Sequence, residues 1–466
     1  MGTSASYVAF NIQPGGNDLN GGAFDQSFAT TGTNASTDDD PIVIIDGSSV
    51  TCTIIDKNTL ELDGYDVENS NLGNCLFGQL DDSSTTWIQS GPVTSIDTTN
   101  NRWNFPSTQS WHYLTATEFT NARLGGALAT PGGLADPSSG GDYGRMNYYC
   151  IAYIKAATYT MTSSDAESGG RIQAGAENIN LIAYKTTPGD HFENLEDRAI
   201  IDTGSTANDS NGVIYFTTNR ISHLTGIEVR GNDTWVRGVG GKISCYNCIV
   251  KDVTGYGYAL SGSSMCHSCR AENCGSGSSY EYGFGSASVN ECVTVDCSPY
   301  GFYACHSAFR SAAHGGVYGF GISQYQSIAN CIADGCSTTG FVALSTRARN
   351  TNSIAINCAT GSSALGGDGP GMAFYNCTTN VASNSDNPYG TESQKQLTAD
   401  PFNDAANQDY TLNDTAGGGA ELAERSPKWG AGVSVDGPQQ QQSAQLKSTG
   451  GGSTTVVTPG PVQIGM

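Results

Sequence analysis

A degenerate repeat between about residues 242 and 380 constrains the fold of this chain more than any other feature. Segments built around a Gly-aromatic pair alternate with segments built around an Asn-Cys pair. In the first kind, the central glycine advances in steps of 26, 18, 18 and 21 residues, through Gly257, Gly283, Gly301, Gly319 and Gly340. A drifting period of about 20 residues is typical of a solenoid, whose turns bury their apolar faces by stacking on their neighbours. The repeat therefore predicts a stiff rod.

The Asn-Cys segments are predicted to supply strands with a buried cysteine. The pairs are Asn247-Cys248, Asn273-Cys274, Asn330-Cys331, Asn357-Cys358 and Asn376-Cys377, with Glu291-Cys292 as a variant. Cys269 lies one repeat after Cys248 and belongs to the same set. We expect these cysteines to pack inside the rod, because free cysteine is among the most buried residue types.

The composition favours an all-β chain. Glycine supplies 60 of 466 residues and charged residues only 14%. Abundant Gly, Asn and Asp favour short strands joined by tight turns. The sequence has no sustained 3.6-residue apolar stripe that would indicate long amphipathic helices.

Turn signals divide the chain into four parts. Residues 1–41 are predicted to be an N-terminal strand and cap, and residues 42–122 a small inserted β subdomain with turns at Asp46-Gly47, Asp63-Gly64 and Asn100-Asn101. Residues 123–415 are predicted to form the solenoid. Residues 416–466 are predicted to be an extended tail, whose Gln, Gly and Thr runs have no core-forming power.

The charge and the termini restrict the partners. A formal net charge of −23 argues against nucleic acid as a partner, since phosphate binding needs clustered Lys and Arg. No apolar run is long enough to span a membrane. The first ten residues lack the basic and apolar regions of a secretory signal, so we expect synthesis in a reducing compartment and mostly unpaired cysteines.

Four of the cysteines have the spacing of a zinc site, in Cys245-x2-Cys248 and Cys266-x2-Cys269. The repeat offers another explanation, because the two pairs are offset by 21 residues, which is one turn. Residues i and i+3 of a straight strand face opposite sides, so the sulfurs converge on one metal ion only if the chain bends between them. Stacked inward cysteines are the preferred interpretation. Zinc, and disulfides formed after release into an oxidising medium, are the alternatives.

The Gly-aromatic segments predict two aromatic columns. The residues after the glycines are expected to fill the rod as an inner ladder, with an exposed platform as the alternative: Tyr258, Phe284, Phe302, Phe320 and Phe341. The residues before the glycines are expected outside and are the candidates for contact with glycan: Tyr256, Tyr282, Tyr300 and Tyr318.

No catalytic constellation is evident in the sequence. A solenoid that cleaves polysaccharide needs paired carboxylates, or a base with a cation. The acidic and imidazole side chains of the repeat match no known catalytic spacing: Glu281, Glu291, Asp296, His267, His306 and His314. Phosphate loops, nucleophile elbows and zinc-protease motifs are absent from the sequence. We therefore assign no catalytic residue and predict no enzyme activity and no cofactor.

Several stretches resemble the right-handed parallel β-helix proteins of tailed-bacteriophage virions, many of them environmental or marine. The most specific is LGGALATPGG at residues 124–133. Further matching stretches are residues 7–8, 16–25, 67–77, 98–103, 153–159, 183–190, 400–402 and 409–413. The resemblance covers residues 7–415, whereas residues 434–466 replace the strand with which the family ends. The family supplies no established catalytic residues.

The resemblance implies a right-handed β-helix made in the bacterial cytoplasm and displayed on the virion surface as a homotrimer. Its other partners would be virion proteins such as the major capsid protein, and host surface glycans. A capsid decoration or head-fibre protein anchored by its tail is preferred, because the chain has no bulky N-terminal attachment domain. The alternative is a tail spike or tail fibre that binds host polysaccharide, with or without cleavage. A cellular adhesive β-helix would need a secretory signal.

Overall fold

The computed structural model describes residues 8–16, 41–81, 87–105, 116–129, 131, 150–160, 172–174, 179–186, 198–204, 212–216, 221–232, 237–261, 263–276, 280–323, 326–344, 349–351, 353–364, 373–375, 377–379, 394–405 and 409–420. Most of the predicted N-terminal cap and the tail beyond residue 420 lie outside these residues. No helix among the described residues is long and apolar enough to cross a membrane.

Three parallel sheets form the solenoid, and two of them have eleven strands while the third has nine. Strands are numbered β1–β41 in chain order. Sheet 1 contains β1 (Val8–Ile12), β10 (Cys150–Lys155), β13 (Ile179–Tyr184), β16 (Ser222–Thr225), β19 (Ile243–Tyr246), β22 (Met265–His267), β25 (Ser288–Asn290), β28 (Ser307–Phe309), β31 (Ser327–Ala329), β34 (Arg349–Thr351) and β37 (Ala373–Tyr375).

Sheet 2 contains β11 (Thr158–Thr160), β14 (Ala199–Asp202), β17 (Ile227–Arg230), β20 (Ile249–Val253), β23 (Arg270–Cys274), β26 (Val293–Val295), β29 (Ala312–His314), β32 (Ile332–Asp334), β35 (Ile354–Ile356), β38 (Cys377–Thr379) and β39 (Gln394–Gln396). Sheet 3 contains β12 (Ile172–Ala174), β15 (Ile214–Phe216), β18 (Arg237–Gly241), β21 (Tyr256–Leu260), β24 (Tyr282–Gly285), β27 (Tyr300–Tyr303), β30 (Tyr318–Ile322), β33 (Thr339–Ala343) and β36 (Thr360–Ala364). Along each sheet, neighbouring strands come from successive turns of the chain. The predicted all-β parallel solenoid is therefore confirmed.

The described Asn-Cys pairs lie at or next to the corners of the solenoid, whereas the sequence predicted strands built around them. Asn247 and Asn330 have φ of 55° and turn the chain from sheet 1 to sheet 2. Asn273 and Asn357, with φ of 49° and 53°, end strands of sheet 2. Asparagine tolerates this left-handed region better than most residues. The corner directs the cysteine that follows into the rod. Asn376 lies outside the described residues.

An antiparallel sheet occupies the chain between β1 and β10. Its strands are β2 (Val43–Ile45), β3 (Thr51–Asp56), β4 (Thr59–Asp63), β5 (Cys75–Leu80), β6 (Trp87–Pro92), β7 (Ser95–Asp97), β8 (Arg102–Asn104) and β9 (Glu118–Leu124), with a 3-10 turn at Asn69–Asn71. The sheet has its own apolar core around Trp103, whose indole Nε1 donates a hydrogen bond to Asn71 Oδ1 at 3.0 Å. Leu128 joins this unit to β1 through backbone hydrogen bonds with Asn11 and Gln13.

A closing hairpin of β40 (Phe402–Asp404) and β41 (Asp409–Leu412) packs against sheet 2. Phe402 and Tyr410 share an apolar cluster with side chains from β26, β29, β32 and β35: Val293, Ala312, Ile332, Ile354 and Ile356. Val293 of β26 is in register with Arg270 of β23, on the preceding turn. This position of sheet 2 therefore changes from a charged to an apolar residue where the hairpin begins to cover it. The hairpin thus buries a face that would otherwise lie on the surface of the rod.

Candidate functional site

Four tyrosines stand in register on the outer face of sheet 3. Tyr256 pairs with Tyr282, Tyr282 with Tyr300, and Tyr300 with Tyr318, one from each successive turn. We call this set the outer tyrosine column. Arg237 of β18 precedes it and pairs with Tyr256. The structure therefore places all four predicted glycan-contact candidates in one line along the rod.

The rings of the column join into one aromatic surface. The ring centres of Tyr256 and Tyr282 are 4.7 Å apart, and those of Tyr300 and Tyr318 are 4.9 Å apart. Between these pairs lies Tyr303, which is stacked on Tyr282 at 5.5 Å and lies 4.9 Å from Tyr300. Sequence reasoning missed Tyr303, because it lies three residues beyond the repeated tyrosine position.

Two glycines let the tyrosine rings lie flat on the sheet. A Cβ atom at Gly285 would come within 2.3 Å of the Tyr282 ring, and one at Gly321 within 2.9 Å of the Tyr300 ring. Both glycines follow the inner phenylalanine of their strand in the sequence Gly-Phe-Gly. The second glycine of that triplet is therefore the sequence signal for a backbone position without a side chain beneath a tyrosine ring.

Tyr256, Tyr282 and Tyr318 are partly exposed, whereas Tyr300 is buried with 8% exposure. The hydroxyls of the outer tyrosine column make no hydrogen bond within the described part of the chain. Burial raises the pKa of Tyr282 to about 12 and also raises the pKa of Tyr300 and Tyr303. These phenols therefore stay neutral near pH 7, and each offers both a donor and an acceptor.

The inner ladder lies inside the rod, as the preferred interpretation predicts. Tyr258, Phe284, Phe302, Phe320 and Phe341 are each at most 2% exposed and stack ring on ring at 4.4–5.2 Å. The glycines before them face inward as well. A Cβ atom at Gly319 would lie 3.0 Å from Ala333 Cβ of sheet 2 and 3.2 Å from Cys336 Sγ in the turn that follows β32. Gly257, Gly283 and Gly301 meet sheet 2 in the same way. The glycines thus let sheets 2 and 3 approach closely.

The four cysteines with zinc-like spacing all face the interior. Cys245 pairs in register with Cys266, and both are fully buried, as are Cys248 and Cys269. The chain bends at Asn247 and Ser268, with φ of 55° and 53°, so both cysteines of each pair face the interior, as the preferred interpretation predicts. Burial raises the pKa of all four thiols, that of Cys248 to about 12.

Neither cysteine alternative has a counterpart in the described residues. No group of three or more His, Cys, Asp or Glu side chains within those residues is arranged to hold a metal ion. The thirteen cysteines whose side chains are described are free and buried, among them Cys292, Cys331 and Cys358. Cys377 lies in β38, and its side chain is outside the description.

The predicted acidic and imidazole candidates fall in separate places. At the corner between sheets 1 and 2, Glu291 lies 3.7 Å from His267 Nε2 and 3.6 Å from Arg310 Nη1. Glu281, beside the tyrosines, accepts hydrogen bonds from the backbone N–H and hydroxyl of Ser276. His306 is exposed on the surface.

Sheet 2 brings His314 together with Asp334, a carboxylate that sequence reasoning missed. His314 Nδ1 lies 2.8 Å from Asp334 Oδ2, and Asn357 Nδ2 donates to Asp334 Oδ1 at 3.0 Å. The hydrogen bond that His314 makes to the Asp334 carboxylate raises the pKa of His314, and the charge of Asp296 acts in the same direction. Asp334 is 2% exposed, so this group stabilises the corner and faces no open cleft.

Comparisons with known proteins give similarity in structure only. No protein-family model matches the chain, and no curated protein matches it. An alginate lyase from Paenibacillus is 12% identical over 53% of this chain and 91% of its own, with a TM-score of 0.33. The pectate lyase Pel9A is 13% identical over 57% and 79%, with a TM-score of 0.38. The ORF18 protein of Geobacillus virus E2 is 12% identical over 53% and 52%, with a TM-score of 0.28.

Proposed function

We propose that this protein is a structural solenoid of a bacteriophage virion surface and that its outer tyrosine column binds polysaccharide. The observation that carries the proposal is the column itself. Four tyrosines from successive turns line one outer face, with hydroxyls that make no hydrogen bond within the described residues. A tyrosine side chain has an apolar ring and a polar hydroxyl, which suits it to a surface that contacts both apolar groups and water.

The rigidity of the column supports this assignment. Each tyrosine is fixed on a parallel strand, and the rings are packed against each other and against bare glycine backbone. Little side-chain freedom is therefore lost when a ligand binds, and preorganisation of this kind raises affinity. A linear sugar chain that runs along the rod would meet one ring from each turn. The apolar faces of its sugars would stack on the rings, and its hydroxyls would reach the phenols.

The virion part of the proposal is supported by the sequence resemblance across residues 7–415. Within it we prefer a capsid decoration or head-fibre protein, anchored on the major capsid protein by residues 416–466 and assembled as a homotrimer. The second candidate is a tail spike or tail fibre for which the polysaccharide is the host receptor. The tyrosine column is the observation that favours this second candidate.

We propose binding without cleavage. Glu281, the acidic residue between Tyr280 and Tyr282, is already occupied by Ser276. The buried Asp334 is held by His314 and Asn357 at another corner. Release of reducing ends from a bound polysaccharide would contradict this part of the proposal.

Two measurements test the proposal. Quantitative mass spectrometry of purified particles should find this chain at a copy number comparable with that of the major capsid protein. A few copies in each particle would instead favour the tail spike or tail fibre, and no copies would refute the virion assignment.

Binding is tested on an array of bacterial surface polysaccharides with the variants Tyr282→Ala and Tyr318→Ala. We expect each variant to lose affinity by about 3- to 10-fold, since an aromatic contact contributes about 0.5–1.5 kcal/mol. Phe309→Ala is the matched control, because Phe309 is an exposed aromatic residue of sheet 1. Equal binding by all three variants and the wild type would refute the role of the column.

A further inference from the structure

Arg237 continues the outer tyrosine column by one turn. It is in register with Tyr256, and its guanidinium carbon lies 5.3 Å from the centre of the Tyr256 ring. Its positive charge also reaches Tyr282, where it acts to lower the pKa against the larger effect of burial. A cation therefore stands at one end of the aromatic surface.

Arg237 has no carboxylate partner among the described residues, whereas several other arginines have one. Arg230 lies 2.6 Å from Glu228, Arg102 lies 2.6 Å from Glu61, and Arg270 pairs with Glu272. Arg237 forms no ion pair within the described part of the chain, and its buried Nε has no hydrogen-bond partner there. The chain has 44 acidic and 21 basic residues, so acidic partners are abundant overall.

A guanidinium with no ion pair among the described residues is suited to an anionic ligand. Its planar donors match the geometry of carboxylate, sulfate and phosphate groups, and such hydrogen bonds are stronger than neutral ones. Its contact with the Tyr256 ring and its register with that residue place the guanidinium beside the face where the sugar chain would run. A neutral polysaccharide would leave the positive charge without an anionic partner.

We propose that the polysaccharide bound by the outer tyrosine column is acidic, and that Arg237 receives the anionic group of the sugar stacked on Tyr256. This inference rests on the proposed polysaccharide binding. It adds the chemical class of the ligand, and it places the contact with the anionic group at the Arg237 end of the column. Arg237 is the residue that distinguishes charged from neutral chains of the same backbone.

The test compares paired probes by titration calorimetry at low salt. The probes are uronate-bearing, sulfated and phosphate-bearing bacterial polysaccharides, each beside its carboxyl-reduced, desulfated or dephosphorylated form. We expect the wild type to prefer the acidic member of a pair. Arg237→Gln should lose about 10- to 100-fold in affinity for that member with no change for the neutral one. Arg102→Gln, in the antiparallel sheet, is the matched control and should behave as the wild type.

The outcomes separate this inference from the proposed function. If the wild type binds both members of every pair equally, and Tyr282→Ala weakens both, the column binds sugar but the acidic class is refuted. If Arg237→Gln weakens the neutral member as much as the acidic one, Arg237 acts through the packing of Tyr256, and the inference is again refuted. If the wild type binds no probe, the proposed polysaccharide binding fails and the inference falls with it.

Discussion

Replacing Phe302 with alanine should destabilise the middle of the rod severely. Phe302 is 1% exposed, and its ring centre lies 5.2 Å from that of Phe284 and 4.6 Å from that of Phe320. Truncation of a buried phenylalanine costs about 3–5 kcal/mol, through lost transfer energy and the cavity that remains. Both stacked contacts belong to other turns, so Phe302→Ala weakens two interfaces between turns at once.

Hydrogen exchange measured strand by strand is the suitable assay, because a solenoid need not unfold in one step. We expect the opening free energy of amides in β24, β27 and β30 to fall by about 3–5 kcal/mol in Phe302→Ala. Phe309→Ala is the matched control from the next strand. Phe309 is 39% exposed, and the guanidinium carbon of Arg310 lies 5.1 Å from its ring centre, which is its one ring contact within the described residues. Its removal should cost about 1 kcal/mol or less.

Comparable losses from the two variants would refute this reasoning. A cost below about 1 kcal/mol for Phe302→Ala would mean that the inner ladder does not form the core between the turns. A loss confined to β27 would mean that stacking between turns adds little to the stability of neighbouring strands.

Four further outcomes are expected. Gly301→Ala should cost about 1–3 kcal/mol in denaturant unfolding, because its Cβ would lie 2.4 Å from Thr294 Oγ1. Ala304→Asn should raise stability by up to about 1 kcal/mol, since Ala304 holds a φ of 49° that asparagine tolerates better. The raised pKa of His314 contributes stability that is fully present below its unfolded pKa and is lost as pH rises through the folded pKa, so His314→Gln should remove this pH dependence. Thiol reagents should label no more than two of the fifteen cysteines before unfolding, because thirteen are buried.

Each of these expectations has a contradicting result. An unchanged midpoint for Gly301→Ala would mean that sheets 2 and 3 do not approach closely, and a loss of stability for Ala304→Asn would place that corner outside the left-handed region. Equal pH profiles of stability for the wild type and His314→Gln would mean that the contact between His314 and Asp334 does not contribute to the pH dependence of stability. Rapid labelling of many native thiols would contradict the buried cysteine columns.

The repeat made the solenoid predictable, because a drifting period and alternating aromatic columns are local properties of the sequence. Regular strand alternation would place Tyr282 and Phe284 on one face, because they are two residues apart, so spacing alone does not explain why Phe284 is fully buried and Tyr282 is not. The Asn-Cys pairs were harder to place. Asparagine at a left-handed corner and asparagine in a strand look alike in sequence, and only the φ of Asn247 and Asn273 separates them.

The missed residues depend on which turns meet in space. Asp334 lies on the next turn from His314, and no spacing along the chain predicts their contact. Tyr303 occupies a position of its strand where both neighbouring turns carry glycine, Gly285 and Gly321. Arg237 lies before the recognisable repeat and became visible only through its register with Tyr256.

The closing hairpin changes how the C-terminal end of the rod can fray. Turns that touch only their neighbours peel away one at a time from an open end. Phe402 and Tyr410 belong to one apolar cluster with strands from four turns, β26 to β35. Detachment of the last of these turns therefore exposes part of a shared surface, and the remaining turns lose the same cover. The hairpin holds these four turns together, so they should unfold as one cooperative unit.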